Sequence, residues 1–274
     1  MAQTSATQPH PSPRPTVFKT IRIAVLLLIL LVVAVGTWRT KVDSVEWQYT
    51  LPVNVYPINA DGQEATQAYI QTLNAAHFKP IEAFMQAEAR RHGQGSKASI
   101  EIRLGQQIVG KPPMPPEQGG ALSVAAWSLR MRWWAWRHGE TTGPKLQVKI
   151  YLLYFDPVHS PRLSHSTALQ KGLIGLARVF ASADMAAQNN VIIAHEFLHT
   201  LGATDKYDRA TDQPDFPDGY AEPEREPLFP QRFAEIMGGR LPLSQTTSET
   251  PSGLQRALIG DKTAQEINWS PAGQ

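Results

Sequence analysis

Two histidines four residues apart, with a glutamate directly after the first, interrupt an otherwise apolar stretch, Val191 to Asp208, VIIAHEFLHTLGATDKYD. Val191, Ile193, Ala194, Phe197, Leu198 and Leu201 cover most of a helix circumference with apolar surface, which puts that helix in a core. A helix advances about 100° per residue, so His195 and His199 stand one turn apart on one side, and Glu196 shares their arc. Burial alone selects neither imidazole nor carboxylate. Two imidazoles so placed grip one Zn²⁺, and the carboxylate beside the first reaches the ion's open position. Gly202 falls where the helix has to stop, because glycine takes the left-handed backbone that turns a chain sharply. The turn returns Asp205 to the same ion as a third ligand and leaves one position for water. Zinc lowers the pKa of such a water to about 7, and Glu196 takes its proton as it attacks a polarised carbonyl.

Composition agrees with this donor set. The 274 residues include no cysteine, so disulfides and thiolate ligands are excluded and any transition metal is held by His and carboxylate. Lys and Arg number 26 against 24 Asp and Glu, and the charges form no basic stripe, which argues against nucleic acid as a partner. A hydrophobic share of 42% suffices for one large domain or two small ones sharing a cleft.

Residues 1–20, rich in Pro, Ser, Thr and Gln, read as a disordered tail. Lys19 and Arg22 precede an uncharged run, Ile23 to Trp38, closed by Arg39 and Lys41. At about 1.5 Å per residue the run spans about 24 Å, and with Ile21 and snorkelling arginines it reads as a transmembrane anchor over residues 21–38. Ala34-Val35-Gly36 offers a peptidase site, the alternative being a cleaved signal segment. Either reading exports the rest: a single-pass membrane-anchored protein with its catalytic part outside the cytoplasm, or a secreted one.

Beyond the anchor, strand-like and helix-like segments alternate. Leu51 to Asn59, Ala98 to Val109, Leu146 to Phe155 and Leu173 to Ser182 read as strands; Glu64 to Arg91, interrupted at Pro80, and Ala121 to His138 read as helices. Lys111 to Gly120 is a loop. Trp127, Trp133, Trp134 and Trp136, set among Arg130, Arg132 and Arg137, read as core packing with arginine stems covering apolar surface, in preference to a lipid or nucleic-acid surface. The pattern predicts an α+β (mixed α/β) fold. Residues 39–202 form its first part and end in the histidine helix; residues 203–274 form a smaller C-terminal subdomain.

The segment HEFLHTLGATD resembles the metzincin signature HExxHxxGxxH with one change, Asp205 in place of the third histidine, and is similar to the snapalysin-type variant HExxHxxGxxD. The resemblance covers Leu173 to Trp269. It implies a zincin-like fold with a twisted mixed sheet, one catalytic Zn²⁺ and hydrolysis of peptide or protein substrates. It also implies a methionine turn, which AEIMGGR (Ala234 to Arg240) supplies with Met237 flooring the site. An edge strand before the zinc helix pairs with extended substrate in that clan, and Leu173 to Ser182 occupies the position. A final helix corresponds to Ile259 to Trp269, with Asp261 as its N-cap. Gly239 stands where some members carry a tyrosine.

Several alternatives stay open. Asp208 rivals Asp205 as third ligand; Glu222 and Glu224 sit at a tolerable separation, although Pro223 and Pro227 argue against the helix they would need. Five aspartates between Asp205 and Tyr220 offer a structural Ca²⁺ site or simply a solvated loop. Tyr207 or Tyr220 is a candidate donor to an oxyanion. The other readings of function are a non-catalytic zinc-binding assembly protein of the cell envelope and a hydrolase of non-peptide amides.

Overall fold

The computed structural model describes residues 19–25, 27–28, 45–47, 49–95, 99–116, 120–139, 147–163, 167–169 and 173–269. Contacts divide the chain into two units, residues 1–39 and 40–274. In the first unit the described residues 19–25 and 27–28 are helical, with Ile21, Ile23, Val25, Leu27 and Leu28 exposed. The rest of the expected anchor, and residues 1–18 of the expected tail, lie outside the described residues. Among the described residues no helix is long and apolar enough to cross a membrane.

The second unit is mixed α/β and is organised by a five-stranded sheet in the order β2-β1-β3-β5-β4. Strands β1 (Leu51–Asn59), β2 (Ile100–Leu104), β3 (Val148–Phe155) and β5 (Ile174–Phe180) run parallel, whereas β4 (Thr167–Leu169) is antiparallel to β5 at one edge. Parallel strands need crossovers on the sheet faces, which is why β1 and β3 read as nearly continuous apolar runs and are buried on both sides. Leu173 to Ser182, expected at an edge, is internal: it pairs with β3 on one side and β4 on the other, so the edge belongs to β4.

Successive residues of the strands serve two cores. Val53, Val55, Val148, Ile150 and Leu152 pack with helix α2 (Lys79–Arg91) and helix α4 (Ala186–Leu201). Tyr56, Ile58, Tyr151 and Leu153 pack on the opposite face with Trp127, Met131, Trp134 and Ala135 of helix α3 (Ala121–His138). Trp133 and Trp136 of α3 are exposed, so the expectation that all four tryptophans of this helix are core holds for only two.

Local chemistry sets the element boundaries. The expected Glu64 to Arg91 helix divides into α1 (Glu64–Thr72), a 3₁₀ turn (Ala75–Phe78) and α2. Asn74 caps the turn, and Pro80 opens α2 in its first turn, where a missing N–H costs nothing. Strand β2 ends at Leu104, and the following Gly105 lies against the Tyr56 ring, where a Cβ would collide. The last helix, α5 (Asp261–Glu266), begins one residue earlier than the expected N-cap at Asp261 allows: Gly260 is its N-cap, and the Asp261 carboxylate reaches toward His92, 3.9 Å away.

Helix α4 is pinned at its start. The Asn189 amide accepts from Phe180 N–H at 3.0 Å and donates to Phe180 C=O at 2.8 Å, fastening α4 to the end of β5. Asn190 donates to the His77 carbonyl at 2.9 Å. At its other end Gly202 adopts φ 118° and its N–H reaches the carbonyls of Leu198 and His199. A side chain in that conformation is strained, so Gly202→Ala is expected to cost about 1–3 kcal/mol. Urea unfolding of the two proteins checks this, and coincident midpoints would reject the strain argument.

Candidate functional site

The bend at Gly202 returns the chain over the last turn of α4. Asp205 Oδ1 lies 2.9 Å from His199 Nε2 and 3.4 Å from His195 Nε2, and the two imidazole rings meet edge to face with centroids 4.6 Å apart. His195, Glu196 and His199 also bring one ligand atom each within 4.8 Å of one another. Two three-donor sets therefore exist, sharing both histidines and differing in the carboxylate. Asp205 Oδ1 is within 3.4 Å of both Nε2 atoms, and Glu196 stands beside them.

The tautomers follow from the partners on the far side of each ring. His195 Nδ1 lies 2.8 Å from the Ile236 carbonyl and His199 Nδ1 lies 2.8 Å from the Ala203 carbonyl. A carbonyl only accepts, so each Nδ1 carries a proton, and in the neutral ring Nε2 presents a lone pair. Asp205 Oδ1 accordingly has no donor, although His199 Nε2 is at hydrogen-bonding distance, and Glu196 Oε2 is likewise buried without a partner. With both rings neutral, two nitrogen lone pairs and a carboxylate oxygen converge on one small volume. Ligand atoms about 2.0–2.2 Å from a tetrahedral ion stand about 3.3–3.6 Å apart; the His195–Asp205 separation of 3.4 Å matches this and the His199–Asp205 separation of 2.9 Å is shorter. The donor set fits a divalent ion of borderline softness.

The electrostatics favour positive charge at the same point. Burial opposes ionisation of His195, but Asp205, the Glu196 charge and the Ile236 carbonyl outweigh it and raise its pKa. Burial likewise opposes ionisation of Asp205, yet His195, His199 and Arg209 hold its carboxyl well below the usual carboxylate range. Burial pushes the Glu196 carboxyl up against the pull of both imidazoles, with Asp205 adding to the rise. Tyr207, whose ring centroid is 6.4 Å from that of His195, is pushed up to about 12 by burial and the Asp205 charge, so its hydroxyl keeps its proton at neutral pH. An open cleft of about 540 Å³ is lined by His199, Asp205, Tyr207 and Arg209 together with the backbone of the bend.

Four residues that the motif does not announce hold this arrangement. Arg209 donates to Asp205 Oδ2 at 2.8 Å, leaving Oδ1 for the histidines; its only sequence signal is the four-residue spacing from the aspartate. Glu266, on α5, accepts from Thr204 N–H at 2.9 Å, from the Thr204 hydroxyl at 2.8 Å and from Lys206 Nζ at 2.8 Å. Lys206 N–H donates to the Met237 carbonyl at 2.9 Å, so the residues on both sides of Asp205 are fastened. Glu235 accepts from Thr263 Oγ1, Gly260 N–H and Gly238 N–H, which fixes the turn presenting the Ile236 carbonyl. Gly238 has no room for a Cβ, which would meet the Gly219 carbonyl oxygen. Met237 is fully buried in this turn, beside the carbonyl that His195 uses.

The remaining candidates are placed elsewhere. Asp208 is exposed and accepts from Ala210 N–H within its own turn. Glu222 is bound by Arg232 and faces Arg225, and Glu224 is not brought to the histidines. Asp212 faces Arg240 at 3.7 Å, and among the described residues the aspartates after Asp205 form no three-donor group. Tyr220 is buried between Phe216 and Phe229 as a packing residue.

No family model matches the chain, and no curated protein matches it. Among solved structures, wild-type OgpA from Akkermansia muciniphila aligns with 11% identity and a TM-score of 0.37, over 79% of this chain and 59% of that one. A likeness of that degree carries no argument here.

Glu266 supplies a pH test of the tether. Burial disfavours its charge, but Lys206 and the two Thr204 donors prevail and lower its pKa. A depressed carboxyl contributes stability that is present above its unfolded pKa and is lost as pH falls through the folded value. Thermal unfolding of wild type and Glu266→Gln is expected to differ at neutral pH and to converge toward pH 3; a gap constant with pH would reject the charged tether.

Proposed function

We propose that this chain is a zinc-dependent endopeptidase with a zincin-like catalytic fold, in which His195, His199 and Asp205 hold one Zn²⁺ and Glu196 is the general base. The observation that carries the reading is the convergence of two Nε2 lone pairs and the unsatisfied Asp205 Oδ1, with both Nδ1 protons committed to carbonyls. Bound zinc supplies a Lewis acid that acidifies a water and polarises a substrate carbonyl.

The chain's own residues supply the rest. The Ile236 and Ala203 carbonyls keep the imidazoles in the ligating tautomer. Arg209 holds the outer oxygen of Asp205, so that the carboxylate offers a single atom. Glu196, with its pKa raised by burial and Oε2 unpaired, is suited to accept a proton from the attacking water and return it to the leaving amine. Tyr207 stays protonated beside the cleft and is a candidate donor to the developing oxyanion. The antiparallel edge strand β4 is available to pair with an extended peptide, the role first assigned to Leu173 to Ser182. Residues 21–38 would tether this domain to a membrane on the non-cytoplasmic side.

Metal content separates this reading from a metal-free core helix. The purified chain is expected to carry one zinc per molecule and Asp205→Ala markedly less; equal substoichiometric content in both would remove the metal from the account. Arg209→Ala is expected to weaken zinc binding by about 10-fold, measured by competition with a chromogenic chelator. Glu196→Gln is expected to keep zinc while losing a factor of about 10² to 10⁴ in cleavage of a mixed peptide library. Zinc-loaded wild type with no chelator-sensitive cleavage would favour a binding protein over an enzyme.

A further inference from the structure

Helix α3 has two apolar stripes, and the sheet covers only one. Trp127, Met131, Trp134 and Ala135 face the core, whereas Leu122, Leu129, Trp133 and Trp136 are exposed, at 88%, 67%, 57% and 69%. At about 100° per residue, Leu122, Ala126, Leu129, Trp133 and Trp136 fall within about 40° of one line along the helix. The buried stripe lies on roughly the opposite side. Arg130 and Arg137 flank the exposed stripe at about 60–80° on one side and Arg132 at about 80° on the other. The helix has no acidic residue, and the Arg137 guanidinium lies 5.6 Å from the Trp133 ring centroid.

We infer that the outer face of α3 docks this domain on the surface of an anionic lipid bilayer, the helix lying in the interface plane. Tryptophan and leucine on one line bordered by the exposed Arg130 and Arg137 is the pattern that partitions into the headgroup boundary, with aromatic rings at headgroup depth and these guanidinium groups on lipid phosphates. The helix is not apolar enough to cross a membrane, so it lies along the surface. Charge disfavours the competing occupant, a second copy of the same helix, because that pairing sets arginine against arginine along both borders of the seam. A single strand of nucleic acid would stack on rings presented alone, but here three of the five stripe residues are leucine or alanine and one ring lies against Arg137. The inference does not rest on the hydrolytic reading.

The chain has no cysteine, so a single introduced thiol labels one position. In the full-length protein, Leu129→Cys carrying an environment-sensitive fluorophore is compared with Ala87→Cys, an exposed site on α2 over the opposite sheet face. With vesicles containing phosphatidylglycerol, the label at 129 is expected to shift to the blue and to be quenched by nitroxide-bearing lipid, while the label at 87 is unaffected. Pure phosphatidylcholine vesicles are expected to quench it less. Arg130→Gln and Arg137→Gln are each expected to reduce the docked fraction, with about a five-fold loss of partitioning per arginine. Equal quenching at 129 and 87 overturns the inference, and so does a blue shift without lipid that tracks dimer formation in sedimentation. Protection of position 129 by a single-stranded oligonucleotide and not by vesicles overturns it as well. Because docking is read by probe depth, attachment through residues 21–38 alone cannot mimic it.

Discussion

Two backbone carbonyls, those of Ile236 and Ala203, decide what the histidine helix can do. By taking the Nδ1 protons of His195 and His199, they turn both Nε2 lone pairs toward the same point. One carbonyl comes from the turn that holds Met237 and the other from the bend after Gly202, so the orientation of the pair depends on two segments that are distant in sequence. The buried Glu235 carboxylate and the Glu266 tether exist to keep those segments in place. Their hydrogen bonds hold the two segments that present these carbonyls.

The sheet does related work at larger scale. Its parallel strands require both faces to be covered, and α4 occupies one of them directly after β5, clamped by Asn189 to the strand it follows. Polar residues near the histidines can be buried because the surrounding packing is already complete. Phe197, Leu198 and Leu201 lie in the core on the remaining sides of the same helix. The lone acceptors at Asp205 and Glu196 carry the cost of unsatisfied buried groups, which that packing has to offset.

Sequence reasoning reached the histidines, the glycine stop and Asp205 because helical geometry is local and the left-handed backbone has a strong residue preference. The same local logic located β1, β3 and α3 closely. It failed where tertiary partners decide. Glu266 and Lys206 meet across 60 residues, and no local pattern marks them. The edge strand was misplaced because Thr167 to Leu169 is too short to announce itself, while the stronger run beside it is internal. The tryptophans of α3 could not be apportioned between core and surface, since both stripes follow one helical period and the sheet face that covers one of them is invisible from the helix alone.

The Glu266 contacts also join the stability of the chain's last helix to its chemistry. Thr204 and Lys206 bracket Asp205, and both are held by a residue 62 and 60 positions downstream of them, respectively. The position of Asp205 thus depends on a helix remote from it in sequence as well as on the bend at Gly202.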